Sequence, residues 1–368
     1  MSLSVASSTT TPSKINWSEQ PQMRRLDAHE TNMRSLQLLK DGTLASLSWD
    51  GEIKLWDRKD AGTIFHTFQV GVHHLVERED GTLATETERA VHVWDRKGQC
   101  LAFYEGGHGH YTRVYPSKDA PSPVEQGFPD NTFNGYAEGL KLRDGSRAYG
   151  EDDGPMLLRS AQGDWLYPLY GHRRKVTALM QRADGVLVSG GEDGEMNEWD
   201  VEGWISAHKG FTPPFYLRSV PTDRKNSFCT RTIKAHTAAI RTLVELKKEA
   251  AIASGSYDRT IKVWQDGACV RILENTRAVF KLFALRDGTL VSLFYREPDG
   301  EHNQMKLWDN QGKCLNTVMV KDETIEEVLE GKEGTLVGRI QFSEKPFFDG
   351  PYSGKIQFWT FPSAQSLG

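Results

Sequence analysis

Asp41-Gly42-Thr43-Leu44-Ala45-Ser46-Leu47-Ser48-Trp49-Asp50-Gly51-Glu52-Ile53-Lys54-Leu55-Trp56-Asp57 writes out a whole structural unit. An Asp-Gly turn is followed by alternating apolar residues, which reads as the start of a hairpin strand. A second Asp-Gly turn and a second apolar run follow, and the unit closes on Trp-Asp. The same closure recurs in Val91-His92-Val93-Trp94-Asp95, Met196-Asn197-Glu198-Trp199-Asp200 and Met305-Lys306-Leu307-Trp308-Asp309. Ile261-Lys262-Val263-Trp264-Gln265 and Ile356-Gln357-Phe358-Trp359-Thr360 keep the Trp and lose the Asp. A repeat of this kind decides the architecture before any other signal.

The opening marker recurs too, at Asp80-Gly81, Asp184-Gly185 and Asp287-Gly288, and as Glu333-Gly334. The marker lies 15 residues before Trp56 (56 − 41), 14 before Trp94 (94 − 80) and 15 before Trp199 (199 − 184). The same ruler exposes a unit without its Trp: Asp144-Gly145-Ser146 lies 14 residues before Leu158 (158 − 144). Counting Leu158, there are seven units, at 56, 94, 158, 199, 264, 308 and 359. The short spacings suit a four-stranded repeat, and the long ones suit the same repeat plus an insertion.

Three units carry a His, Ser, Asp and Trp set in register: His29, Ser46, Asp50, Trp56; His172, Ser189, Asp193, Trp199; and His236, Ser254, Asp258, Trp264. With these motifs the chain resembles the WD40-repeat family from about Met23 to Phe361. The resemblance implies an all-β, seven-bladed WD40 β-propeller with four-stranded antiparallel blades. It implies that Met23–His29 supplies the last strand of blade 7 and closes the ring, hiding sheet edges. It further implies that the four side chains form a hydrogen-bonded network inside a blade. A Ser-His-Asp set could instead suggest a hydrolase, but a catalytic triad occurs once, whereas this set repeats, and no G-x-S-x-G elbow is present. No enzyme activity is expected.

Composition bounds the rest. A hydrophobic fraction of 38% with 26% charged residues is globular, and a net charge of −5 argues against a dedicated nucleic-acid binder, which needs a concentrated basic surface. No apolar run reaches the roughly 20 residues that span a bilayer, and the Ser/Thr-rich start has no apolar core for a secretory signal. The expectation is a cytoplasmic protein, the nucleus not excluded. Residues 1–22 read as a disordered tail, 23–362 as the propeller and 363–368 as a short C-terminal tail. Cys100, Cys229, Cys269 and Cys314 fall on different units, with no C-x-x-C pair, and are expected to be free buried thiols. His108 and His110 lack a third ligand, so no metal and no cofactor is expected.

In the resembled family, two positions per blade face the top mouth: the one before the turn Asp, and the one seven residues before the Asp-Gly marker. These are Arg34 and Trp49 in blade 1, His73 and Thr87 in blade 2, Ala137 and Glu151 in blade 3, and Thr177 and Glu192 in blade 4. Blades 5, 6 and 7 give Arg241 and Tyr257, Phe280 and Tyr295, and Glu326 and Gln341. Aromatic residues and Arg, the types enriched at binding hot spots, gather on blades 5, 6 and 1. The expected partner-binding residues are therefore Trp49, Arg34, Arg241, Tyr257, Phe280 and Tyr295, with the acids Glu151 and Glu192 beside them. A peptide carrying a basic or aromatic residue would suit this surface. The insertion 202–225, with Trp204, Phe211, Phe215 and Tyr216, is a second possible docking element or a segment folded back on the blades. The implied function is a non-catalytic protein-interaction scaffold, a monomeric propeller within a larger assembly. The alternatives are a substrate-receptor or adaptor subunit of a ubiquitin-ligase or other modifying complex, or a pathogen effector imitating a host WD40 scaffold.

Overall fold

A computed structural model describes residues 15–56, 62–66, 74–86, 90–107, 110–116, 140–150, 156–159, 166–203, 228–295, 303–320, 323–332, 334–342 and 354–363. They form seven antiparallel sheets in chain order. Blade 1 shows the construction: Met33–Leu38, Leu44–Ser48, Glu52–Trp56 and Gly62–His66 pair consecutively. The Asp-Gly marker makes the first turn as its chemistry dictates. The Asp41 carboxylate accepts the Thr43 N–H at 2.8 Å, and Gly42 takes φ 89°, a value its lack of Cβ allows.

The second strands of the blades carry apolar and small residues with few charges, because neighbouring blades cover both faces. Leu44–Ser48, Leu187–Gly191 and Ala251–Ser256 are buried at every position. The core is correspondingly divided into clusters that straddle blade boundaries. One joins Val337 and Ile356 of blade 7 to Met33, Leu36, Leu44 and Trp56 of blade 1. Another joins Met156, Leu158 and Leu169 of blade 3 to Leu187 and Trp199 of blade 4. In blade 3 the register gives the repeat Trp's place to Arg159, which pairs with Arg147, three residues after Asp144, as Trp56 pairs with Leu44 and Trp199 with Leu187. Its neighbour Leu158 pairs with Ala148 and is fully buried. Each such side chain contributes about 1.5–3 kcal/mol by leaving water.

Blade 7 is closed by the N-terminus: Gln22–His29 pairs with Gly354–Thr360, in the sheet order that the resemblance implies. The chain seals this blade earlier than its composition suggests. Ile15–Gln20, placed by composition in the tail, packs on blades 6 and 7. Trp17 is buried, meets Phe361 edge-on at 4.9 Å and donates its indole N–H to Asp287. Asn16 N–H donates to the Pro362 carbonyl at 2.9 Å, and Ile15 bridges Ser363.

This clasp fills a specific gap. In blade 5 the turn before the outer strand rests on Arg231 of blade 4; a Cβ at Gly267 would lie 2.5 Å from its guanidinium. Gly312 of blade 6 rests likewise on Arg271 of blade 5. Blade 7 has no such turn, because its outer strand comes from the other end of the chain. The paired segments Ile15–Gln20 and Phe361–Ser363 occupy that place. They are held by Asn316, which donates to the Trp17 carbonyl at 3.1 Å and the Glu19 carbonyl at 2.6 Å.

Two expectations need correction. Blade 2 has five strands, not four: after Cys100–Gly107 the chain turns back as His110–Pro116 and pairs as an added outer strand. His110 lies on that strand. The four cysteines are free, but Cys100, Cys269 and Cys314 are exposed and Cys229 is half-buried. Each lies at the start of its blade's fourth strand, opposite a repeat Trp. Each turns its Sγ to the carbonyl two residues on, at 3.4 to 3.6 Å.

Candidate functional site

The His-Ser-Trp networks lie inside the blades. In blade 5, His236 Nε2 is 2.7 Å from Ser254 Oγ, Trp264 donates its indole N–H to the same oxygen at 2.8 Å, and His236 Nδ1 is 2.8 Å from Asp258. Blade 4 repeats this with His172, Ser189, Trp199 and Asp193, at 2.7, 2.8 and 3.1 Å. Burial depresses the His236 pKa despite the nearby carboxylate, so the ring is held neutral. Burial pushes the Asp258 carboxyl up, but donors from Thr260, His236 and the Thr237 N–H together outweigh it and hold the group below its ordinary value. Ser189 and Ser254 are fully buried and already committed to two partners. No substrate carbonyl can reach such a hydroxyl, so the geometry is that of a fastener.

Blade 1 departs from the expected set. His29 contacts Ser46 at 2.7 Å and Trp56 donates to Ser46 at 2.9 Å, but His29 Nδ1 meets Glu52 at 2.8 Å, not Asp50. Asp50 instead accepts from the Ser48 hydroxyl and from the Glu52 N–H at 3.2 Å. Blade 4 carries Glu195 at the same position, yet His172 meets Asp193 there, so the length of the Glu side chain alone does not account for the exchange.

The network has a fifth member. Lys54 and Lys262, two residues before the Trp, donate to the carbonyls of Ala28 and Ala235, each of which precedes the network His. The recurring Lys-x-Trp spacing was a readable signal. Asn197 stands in that place in blade 4, and both its amide atoms are buried without a hydrogen-bond partner.

The rim residues are aimed by the backbone. Trp49, Glu192, Tyr257 and Tyr295 donate their N–H groups to the carbonyls of Asn32, Lys175, Ala239 and Ala278, just before the first strands. Both loops of each blade thus lie at one end of the sheet, opposite the Asp-Gly markers. Arg34, Thr177, Arg241, Phe280 and Glu326 share a second feature. Each is skipped in the pairing of its first strand with the second. Each is the extra residue of a β-bulge, and a bulge re-aims the side chain it releases.

On blades 5 and 6 these side chains converge. Tyr257 and Tyr295 stack at 4.9 Å, and Phe280 meets Tyr295 edge-on at 5.1 Å. The Arg241 guanidinium lies 5.4 Å from the Tyr257 ring and 6.0 Å from the Tyr295 ring. Burial, followed by the Tyr257 hydrogen bond, pushes the Tyr295 hydroxyl up to about 12, so it stays protonated. On blade 1, Arg34 covers Trp49 at 4.3 Å. Trp49 remains 54% exposed and Tyr257 42%, large rings left partly in water. Among the described residues no ring contact joins the Trp49 pair to the Tyr257 cluster. Blade 7 spans the interval: Glu326 pairs with Arg339 at 2.8 Å, and Arg339 and Gln341 donate to the Met33 carbonyl at 2.7 and 3.1 Å.

Thr177 turns away to donate to the Gly190 carbonyl at 3.3 Å and to the Ile240 carbonyl. Glu192 is exposed on blade 4. His73, Thr87, Ala137 and Glu151 lie outside the described residues, as does 204–225 of the aromatic insertion. The cation beside Tyr257 is the protein's own Arg241. On the opposite rim, a cavity of about 270 Å³ between blades 4 and 5 is lined by charges such as Arg182 and Asp184, paired with each other at 2.6 Å. Among the described residues no cluster of three or more His, Cys, Asp or Glu is arranged to hold a metal ion, and no helix is long and apolar enough to cross a membrane.

Residues 20–57 and 227–265 match the family model of the WD domain, G-beta repeat. These two stretches are WD40 repeats, and the chain has the fold of a seven-bladed WD40 propeller. Among solved structures it is similar to the computationally designed protein Ika8, with TM-score 0.62 and 19% identity over 93% of this chain and 100% of that one. It is also similar to a chain of a mitotic checkpoint complex, with TM-score 0.56 and 16% identity over 98% of this chain and 97% of that one. No curated protein matches the sequence.

Proposed function

We propose that this chain is a non-catalytic scaffold that binds a segment of another protein on the rim built by blades 5, 6 and 1. One observation carries the reading: Arg241, Tyr257, Phe280 and Tyr295, far apart in sequence, converge on the bulged rim while Tyr257 stays partly in water. Aromatic and Arg clusters of this composition are where interfaces concentrate binding energy. The rigid blades fix the loops, so the side chains lose little freedom on binding.

The test compares the wild type with a Trp49→Ala, Tyr257→Ala, Phe280→Ala variant in pull-downs read by mass spectrometry, after circular dichroism confirms the fold. Partners retained by the wild type and lost by the variant support the rim. Partners captured equally by both place binding elsewhere on the propeller.

A further inference from the structure

The chemistry of the cluster narrows the partner. Arg241 is the extra residue of a bulge on blade 5, and its guanidinium is flanked by two tyrosine rings rather than by an acid. Among the described residues no carboxylate lies within ion-pair distance of it. The carboxylate of the same rim on blade 7, Glu326, is engaged by Arg339 at 2.8 Å. The Arg241 Nε is buried and has no hydrogen-bond partner. The Tyr295 hydroxyl is hydrogen-bonded to Tyr257 and to Arg241 itself. The cluster therefore offers guanidinium N–H donors, the unpartnered Nε among them, and one positive charge beside apolar ring faces.

Resting on the proposed rim function, we propose that Arg241, Tyr257, Phe280 and Tyr295 form the anchor for a single Asp or Glu side chain within an acidic segment of the partner. A guanidinium presents a planar fork that matches a carboxylate with two parallel hydrogen bonds. The rings shield one side from water, and the attraction strengthens as the local dielectric falls. A lysine or arginine of the partner would meet a like charge and would have to displace Arg241 from the rings. A phosphate monoester carries about −1.5 to −2 charges and is met by clusters of Arg. Here a single guanidinium stands among the rings, matched in charge to a carboxylate.

The full-length chain is used to select from a phage-displayed random-peptide library, and the strongest peptides are synthesised and titrated. The expected peptides are enriched in Asp or Glu. Changing the anchoring acid to Asn or Gln weakens binding on the order of tenfold or more. Arg241→Gln produces a similar loss, and Arg241→Glu shifts selection towards Lys- and Arg-containing peptides, a reversal that a merely structural role would not give. The peptide substitutions need no protein variant, so misfolding cannot mask the result. Peptides without acids that bind Arg241→Gln normally, yet are lost on Tyr257→Ala with Phe280→Ala, overturn the anchor and leave the rim function standing. Peptides indifferent to all these changes overturn both. A library yielding no binder overturns the anchor alone, since the pull-down separately reports folded partners.

Discussion

His29 Nδ1 lies 2.8 Å from the Glu52 carboxylate, so the blade 1 network is fastened by the first residue of its third strand and not by the turn residue Asp50. The consequence is a reversed ranking between blades. In blade 5, Asp258→Ala removes the His236 contact and costs about 1–3 kcal/mol. In blade 1, Glu52→Ala carries the equivalent loss to His29, while Asp50→Ala disturbs only the turn. Denaturant unfolding of the three variants checks the order.

Stability depends on pH in a definite direction. His29, His92 and His236 all have pKa values lowered from 6.5, in each case chiefly by burial. Below 6.5 the unfolded chain therefore binds more protons than the folded one, and stability falls as pH falls from there towards the depressed folded values. Asp50, Asp193 and Asp258, lowered from 3.8, add a second loss below that value. Thermal melts from roughly pH 7.5 to roughly pH 5.5 should show a falling Tm, with a shallower slope in His236→Gln. A flat profile would contradict the neutral, buried state of these rings.

Trp359 is an orphan among the repeat tryptophans. Its buried indole N–H has no partner, because Gly338 stands where Ser46 and Ser254 stand in blades 1 and 5. Trp359→Phe should thus cost less than Trp264→Phe, by about 1–3 kcal/mol, the penalty for stranding a buried polar group. Gly338→Ser should not repair blade 7. A Cβ there would lie 2.5 Å from the Trp359 ring, and the variant should be less stable than the wild type in the same unfolding assay.

The N-terminal clasp predicts two graded effects. Trp17→Ala should cost about 3–5 kcal/mol, the usual loss for a buried Trp in a core, read by denaturant unfolding. Removing residues up to Asp27 also strips the outer strand from Gly354–Thr360 and opens a sheet edge. That truncation should unfold or self-associate, seen in a melt combined with light scattering. A monomeric truncation with an unchanged Tm would dismiss the clasp.

Exposed rim residues should behave oppositely. Trp49→Ala loses a cation–π contact with Arg34 worth about 0.5–1 kcal/mol at an exposed site, and little else. Its Tm should stay within a few degrees of wild type whatever it does to binding.

The sequence by itself determined the number of units, the four-strand pattern that six of the seven keep and the ring-closing strand. Asp-Gly turns, apolar alternation and the terminal Trp are local devices whose physics acts within about 20 residues. The same locality revealed the unit that lacks its Trp, although spacing alone put the missing Trp at Leu158, one residue before the register's Arg159. It also made the networks at His172 and His236 legible, since their members lie within a single blade, at a fixed sequence spacing. Tertiary structure alone decided what depends on contacts between blades or on a change of pairing register. The fifth strand of blade 2 and the capture of Trp17 by Phe361 and Asp287 have no marker in the local pattern, because their partners are chosen by which edges remain open. The gathering of Arg241, Tyr257, Phe280 and Tyr295 is of the same kind. Each residue was visible as a rim position, but only the bulge that frees Arg241 and the apposition of blades 5 and 6 bring one guanidinium beside two stacked rings.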